Sequence, residues 1–434
     1  MMMQSRHKVT ITTCTLFLLL LFASMVSAKT TIRIAHPYDE THKVHEAMVK
    51  VAAGFTARYP EYSVQVDSSY SGDKVKIAVA ANDSPDIYYQ WLCVPWGADG
   101  LFLPLNEYIA KYDVKSVDFV PAAWNQNIWQ GNIYALPLHV DTNFALMWNK
   151  DHFAEVGVDP DVPPRTTTQF DEYYKKLTRF DSAGTAQRLA MVPWYVYGNP
   201  NTVFTWGWIF GGDFYDYANN KASAHDPKIV QALEYLADYY SGYLAAFNAT
   251  NQGINSTGFG SYTIARVANG RDSMAFTIPS GYFAVLEQFP DLNIGTGMMF
   301  VHPDSEISNP TWIGGFSLGI LAGAKQPDAA FELIRYMTCD PEGIAYYAET
   351  ANHMPANITA PALRKLGADP KWRVFTEIAV STVRYRPAIP VLESYQQQLG
   401  AVLPRILSRQ VSAQAALEGL SKIVDATIAE RYGN

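Results

Sequence analysis

Gly315-Phe316-Ser317-Leu318-Gly319 spells the G-x-S-x-G pattern that presents a serine nucleophile in many hydrolases, and Asp340 and His353 follow in hydrolase order. The pattern carries chemistry only where a strand precedes the serine and a helix follows at once, because that sharp turn is what exposes the hydroxyl. Here Leu318 to Ala322 continues as an apolar strand, and helical spacing resumes only near Asp328, which argues against a serine hydrolase. Carboxylates among ten Trp and 27 Tyr raise a second reaction, glycoside hydrolysis, so a secreted carbohydrate-active hydrolase stands as the alternative reading. No two acids, however, share a convincing acid/base context. His36, His42, His45 and Glu46 lie close together, and residues 42 and 45 share a helix face, but their spacing fits no zinc signature and no metal or cofactor is expected. Aromatic faces can also cover the C–H surfaces of a sugar while directed polar groups meet its hydroxyls, with or without catalysis.

The chain that must position these groups has 434 residues, with 33 Lys+Arg against 41 Asp+Glu and a net charge of −8. That length implies two or more lobes, and the acidity excludes a nucleic-acid partner, since nothing would balance the phosphates. Charged residues make up only 17% and aromatics 13%, unlike a disordered chain. Arg6 and Lys8 precede an apolar run densest at Leu16 to Phe22, and Val26-Ser27-Ala28 offers small residues for a signal peptidase. Residues 1–28 are therefore predicted to be a signal peptide cleaved after Ala28, which directs the protein to the periplasm. The run is too short for a membrane span and four threonines dilute it. Removing this segment, which carries two basic and no acidic side chains, takes the net charge from −8 to −10. Cys93 and Cys339 then remain, open to pairing in an exported protein or to burial as free thiols.

Along the mature chain, Thr31 to Ala35 alternates as a strand, and Val44, Met48, Val51 and Phe55 recur at helical spacing up to Pro60. Tyr62 to Val66, Asp73 to Ala81 and Asp86 to Tyr89 continue the order as strand, helix and strand, which implies a parallel sheet with helices on both faces. Thr166 caps a helix running through Phe180, and Leu233, Leu236, Ala237 and Tyr240 form a later helical stripe. Ser317 to Ala322 is a strand candidate and Asp328 to Met337 a helix; the tail from Leu392 to Arg431 is expected to be helical throughout. No Gly/Ser-rich linker separates the lobes, so they are expected to be interleaved.

Several short motifs occur in order along these elements. They are Ser84-Pro85-Asp86-Ile87 at the third strand, Gly100 to Asn106, Gly131 to Pro137, and Trp148-Asn149-Lys150-Asp151-His152-Phe153 followed by Gly157-Val158. Asn269-Gly270 to Met274, Gly314 to Ile320 and Asp328 to Ile334 complete the set. In order and spacing the chain resembles the family 1 extracellular solute-binding proteins of ABC importers, of which maltodextrin-binding protein is a member. Two departures stand out: the Thr166 helix has Phe170 in place of the family's frequent Thr-Trp pair, and Cys93 has no counterpart.

The resemblance implies an α/β, two-lobed periplasmic-binding-protein fold, each lobe a mostly parallel sheet flanked by helices, joined by multiple hinge crossovers. It implies a first lobe of residues 29–140 with 319–352, and a second of 141–318 with 353–434. Crossings are expected near His139 to Ala145, Gly319 to Gly323 and Asn352 to Asn357. It further implies a ligand-binding site. Trp312 would stack on a sugar ring beside Gly314 and Gly315, where the backbone can approach a ligand, and Asp141 would be the cleft carboxylate. Trp206 would belong to the second lobe's aromatic strip, and Tyr282 would follow a turn where relatives carry an aromatic ring. Trp91 at the end of the third strand, His36 and Tyr38 after the first, and Arg384 or its neighbour Arg386 before the last helices complete the candidates. The expected role is the substrate-binding component of an ABC transporter: a monomer that captures a sugar or polyol between closing lobes and delivers it to a membrane permease. The low basic content favours a neutral ligand.

Overall fold

The computed structural model describes residues 29–251, 253–254 and 261–433, so the leader expected over 1–28 lies outside the described residues. The alternating strand Thr30–Ala35 buries Ile32 and Ile34 and pairs in parallel with Tyr62–Asp67 and Ile87–Gln90. Helix Lys43–Arg58 buries Val44, Met48, Val51 and Phe55, the predicted stripe, and lies against helix Pro341–Ala351. Each such side chain contributes roughly 1.5–3 kcal/mol on leaving water, which is what fixes the helix to the sheet. The sheet is completed by Ser317–Ile320, antiparallel to both Ile87–Gln90 and Leu136–Pro137. Ser317–Ile320 thus belongs to this first sheet from its first residue, a little earlier in the chain than a boundary at 319.

The second sheet departs from the expectation of parallel strands. Ala145–Asn149 is its centre, and Met274–Thr277 and Ile294–Gly297 flank it, both antiparallel. Parallel pairing arises when consecutive strands are joined by a crossover helix. Here the central strand arrives from the other lobe, and its neighbours come from a much later part of the chain. Helices Asn199–Ile209, Pro227–Thr250, Leu392–Leu407 and Ala413–Tyr432 pack together beside it. The last two are separate helices rather than one: Arg409 takes a left-handed φ of 55°, and Ser412 restarts the helix by accepting from the Ala415 N–H.

Between the two large sheets runs a third, of four short strands in the order Met354–Pro355, His139–Asn143, Trp312–Gly314, Arg384–Tyr385. The chain enters it from the first lobe at Leu136–Pro137 and leaves directly into Ala145–Asn149 of the second. Trp312–Gly314 likewise leads straight into Ser317–Ile320. These crossovers are a few residues long, and they determine which side chains face the space between the lobes. Cys93 and Cys339 are free thiols; burial pushes the Cys93 thiol well up.

Candidate functional site

The crossover sheet aligns residues distant in sequence. Asp141 pairs with Gly314, Asn143 with Trp312, and Trp312 with Arg384. Paired residues share a face and neighbours along a strand alternate, so Asp141, Gly314, Trp312 and Arg384 belong to one face. Val140, Ile313 and Tyr385 belong to the other and pack into the first lobe's core. Asp141 keeps 39% of its side chain exposed, and among the described residues its carboxylate accepts no hydrogen bond. The nearest imidazole nitrogen, His139 Nε2, is 3.9 Å away. Burial pushes the Asp141 carboxyl above the usual range, against the opposing pull of His353 and Arg386. The Arg386 guanidinium lies 4.3 Å from the centre of the Trp312 ring and 5.0 Å from that of Trp91. It also donates to Asn201 Oδ1 at 3.1 Å. Burial lowers the Arg386 pKa to about 10, while Asp141 holds it up.

The first lobe supplies a wall of rings. Tyr38 is half-buried and stacks on His42 at 4.0 Å with the planes 6° apart. Behind it Tyr89 stacks on Phe316 at 4.4 Å and His139 on His353 at 4.1 Å. Tyr347 ties this layer together, its hydroxyl donating to Tyr89 Oη at 3.2 Å and lying 3.3 Å from His353 Nδ1. Burial lowers the pKa of both His139 and His353, and two stacked imidazoles resist simultaneous protonation. From the second lobe comes Tyr197, whose ring stacks on Phe144 and whose phenol is pushed up by burial and then by Asp141. The arrangement offers a charged acceptor, a guanidinium and several ring surfaces.

The sequence pattern of the bacterial extracellular solute-binding proteins matches residues 40–342, well over half of the chain. The chain belongs to this family. Among sequence relatives, the sn-glycerol-3-phosphate-binding periplasmic protein of Yersinia enterocolitica is 25% identical over 280 residues, 63% of this chain and 60% of that protein. The corresponding protein of Pectobacterium atrosepticum is 24% identical over 281 residues, again 63% of this chain and 60% of that protein. The alignment thus spans about 60% of the length of these relatives. Among solved structures, the sugar-binding protein MalE of Xanthomonas citri superposes with a TM-score of 0.73 at 21% identity, covering 93% of this chain and 98% of MalE. CpMnBP1 with mannotriose bound superposes with a TM-score of 0.72 at 23% identity, covering 91% and 99% of the two chains. At these identities the superpositions establish the two-lobed fold.

Within this solute-binding fold, the expected site residues divide. Asp141, Tyr38 and Trp91 converge on the space between the lobes. Trp312 is there too, but it is 0% exposed: Arg386 covers one face, Phe144 and Trp208 pack around it, and its Nε1–H donates to Thr205 Oγ1 at 3.2 Å. No face of this ring is open for stacking, so Trp312 serves as the floor beneath Arg386. Trp206 is a correction: it is 0% exposed in the second lobe's core, among Phe170, Phe276 and Phe300, with its N–H donating to Pro193 O. Tyr282 likewise packs against Phe283 and Phe375 in a core cluster. His36 is fully buried and pairs with His45, Nε2 to Nδ1, at 3.1 Å. Arg384 is held by Asp213 at the edge of the crossover sheet. The glycine pair is explained by the chain itself. A Cβ on Gly314 would sit 2.3 Å from Asn143 Nδ2, and one on Gly315, whose φ is +107°, 2.2 Å from His139 O.

Ser317 lies inside the buried strand Ser317–Ile320, no helix follows it directly, and Asp340 is occupied in capping helix Pro341–Ala351 and pairing with Arg58. The elbow geometry is absent. Among the described residues no group of three or more His, Cys, Asp or Glu is placed to hold a metal, and no helix is long and apolar enough to cross a membrane. Sequence reasoning left Arg384 and Arg386 interchangeable and did not find His353, Tyr197 or Asn201 as site neighbours. The two arginines are two residues apart and share a strand face by alternation, so only tertiary contacts separate them.

Proposed function

We propose that this chain is the solute-capturing component of an ABC importer. It takes a neutral sugar or polyol between its lobes as a monomer and presents it to a membrane permease. The observation that carries this reading is Asp141: a carboxylate on the crossover sheet, partly open, with no internal hydrogen bond and with rings on either side. A half-buried carboxylate with no internal donor is completed by a ligand that brings hydroxyl donors as the lobes exclude water from it. The same carboxylate opposes a phosphate ester, whose charge would meet it across the Arg386 guanidinium. The family supports export, and residues 1–28 supply the address, with the mature chain beginning near Lys29. Relatives span both ligand types: a mannotriose complex among the solved structures and glycerol-3-phosphate binding among the sequence relatives.

A thermal-shift screen of the purified mature protein against neutral mono- and oligosaccharides, polyols and sn-glycerol 3-phosphate tests the reading. A true ligand at about 100 times its Kd adds about 2.7 kcal/mol of stability. The expected result is stabilisation by a neutral sugar or polyol. Stabilisation by glycerol 3-phosphate alone would overturn the neutral assignment while leaving solute capture intact.

A further inference from the structure

Behind the crossover sheet lies a groove that the reading above does not use. Tyr385 belongs to the face opposite Asp141, and on that side the first lobe's helix Pro121–Asn125 lies against Trp312–Gly314 and Arg384–Tyr385. Beside the end of this helix is a cavity of about 440 Å³. Asn125, Trp129 and Gln130 form one wall from the first lobe, Tyr217 and Asn220 form the other from the second, and Tyr385 lies between. A second cavity of about 310 Å³ shares Asn125, Tyr217 and Tyr385 and turns round the sheet's edge strand to Asp213 and Arg384, whose ion pair leaves no net charge there. Both volumes fall in the roughly 300–1,000 Å³ range of small-molecule sites.

The lining has a definite chemistry. The larger cavity is lined by three aromatic residues, three side-chain amides and Ile128, with no charged side chain among them. Among the described residues the side-chain amides of Asn125 and Gln130 make no hydrogen bond, so their donors and acceptors are available to an occupant. Tyr217 is 49% exposed, yet its ring is anchored, because its hydroxyl accepts from the Ala388 N–H at 2.8 Å. Asn220 is fixed in turn by accepting from the Tyr215 hydroxyl at 2.6 Å. Gln130 and Gly131, with φ of 47° and 79°, form the tight two-residue turn that holds Gln130 at the rim, while Trp129 before it is buried against Tyr215, which leaves Tyr217 as the open ring. Rings with amides at their edges suit a neutral polyhydroxylated molecule, whose C–H faces cover the rings while its hydroxyls meet the amides. In the larger cavity a phosphate or a cation would find no counter-charge.

We propose that this groove is a second binding site, for a neutral mono- or disaccharide, separate from the site at Asp141 and lying on the opposite face of the crossover sheet. The test is an amide NMR titration of the mature protein with maltose as the neutral disaccharide probe, on the parent, Tyr217→Ala, Asn125→Ala and Asp141→Asn. Both groove variants change exposed side chains, so the fold should be retained. In the parent, the amides of Asn125, Gln130, Tyr217 and Asn220 should shift with one common midpoint. Each groove variant should weaken that midpoint by ~tenfold, the equivalent of about 1.4 kcal/mol, while Asp141→Asn leaves it unchanged. Groove amides that do not move, or that move equally in all four proteins, would overturn the proposal. A groove midpoint lost in Asp141→Asn would also overturn it, by showing one site instead of two. Because Asp141→Asn disables only the front site, failure of the groove and failure of the front-site reading give different patterns.

Discussion

Asp141 and Trp206 make opposite predictions although both were candidates for ligand contact. Asp141→Asn keeps the shape of the side chain and exchanges a charged acceptor for an amide. The ligand found by screening should bind more weakly by about 1.5–3 kcal/mol in calorimetric titration. Trp206→Phe removes an indole N–H that donates to Pro193 O inside the second lobe. It should lower unfolding stability by about 1–3 kcal/mol, with ligand affinity within about twofold of the parent. An affinity loss in Trp206→Phe as large as in Asp141→Asn would return that ring to the site. His36 makes a pH prediction. Burial, with His45 and His42 nearby, lowers its pKa to about 4, below the ordinary value of 6.5. A depressed pKa means that the folded state resists the proton while the unfolded chain accepts it. The stability is therefore complete above pH ~6.5 and falls as the pH drops toward ~4, by up to about 3 kcal/mol from this group. Urea midpoints at pH 7 and pH 5 should fall less in His36→Gln than in the parent. Equal falls would place the acid sensitivity elsewhere, among His139, His152 and His353, whose pKa values burial also lowers.

At the scale of elements, the crossover sheet is what joins distant residues into a site, and its glycines make that possible. Gly315 has a φ of +107°, and an added Cβ would meet His139 O at 2.2 Å and Val140 Cα at 2.9 Å, both backbone atoms with no freedom to yield. Gly315→Ala should destabilise the protein by well over ~1 kcal/mol, through strain at a left-handed φ and displacement of strand His139–Asn143. Denaturant unfolding measures this. A neutral result would mean that the strand can move aside without cost. Weaker ligand binding is expected alongside, because Asp141 sits on the displaced strand. The elements themselves were largely legible in the chain. The helix stripe of Val44, Met48, Val51 and Phe55 and the Thr166 cap on helix Thr167–Leu177 follow from spacing and capping chemistry. The break at residues 408–412 was not legible, because good helix formers stand on both sides of it.

At the scale of the whole molecule, two lobes joined by crossovers only a few residues long should rotate as stiff bodies rather than tumble independently. Small-angle scattering of the free and ligand-saturated protein should show a smaller radius in the saturated form. An unchanged radius at saturation would mean that capture proceeds without closure.

Local sequence carried what depends on near neighbours: the first lobe's strand-helix order, the caps, the leader-like composition of residues 1–28 and the short motifs that mark the family. It also brought Tyr38 and Trp91 to attention by their positions after strands, and Asp141 through the family resemblance and its spacing to Asn149-Lys150. Only the tertiary structure decided which aromatic rings border the space beside Asp141 and which face the core. A tryptophan has the same composition in either role, and Trp206 and Trp312 were told apart from open rings only by what packs on their faces. It also decided between Arg384 and Arg386, which alternation along a strand makes equivalent. One meets Asp213 at the sheet edge, and the other lies over Trp312 and senses Asp141. The antiparallel order of the second sheet was decided there too, since it depends on strands that come together from distant parts of the chain, and no local periodicity records that pairing.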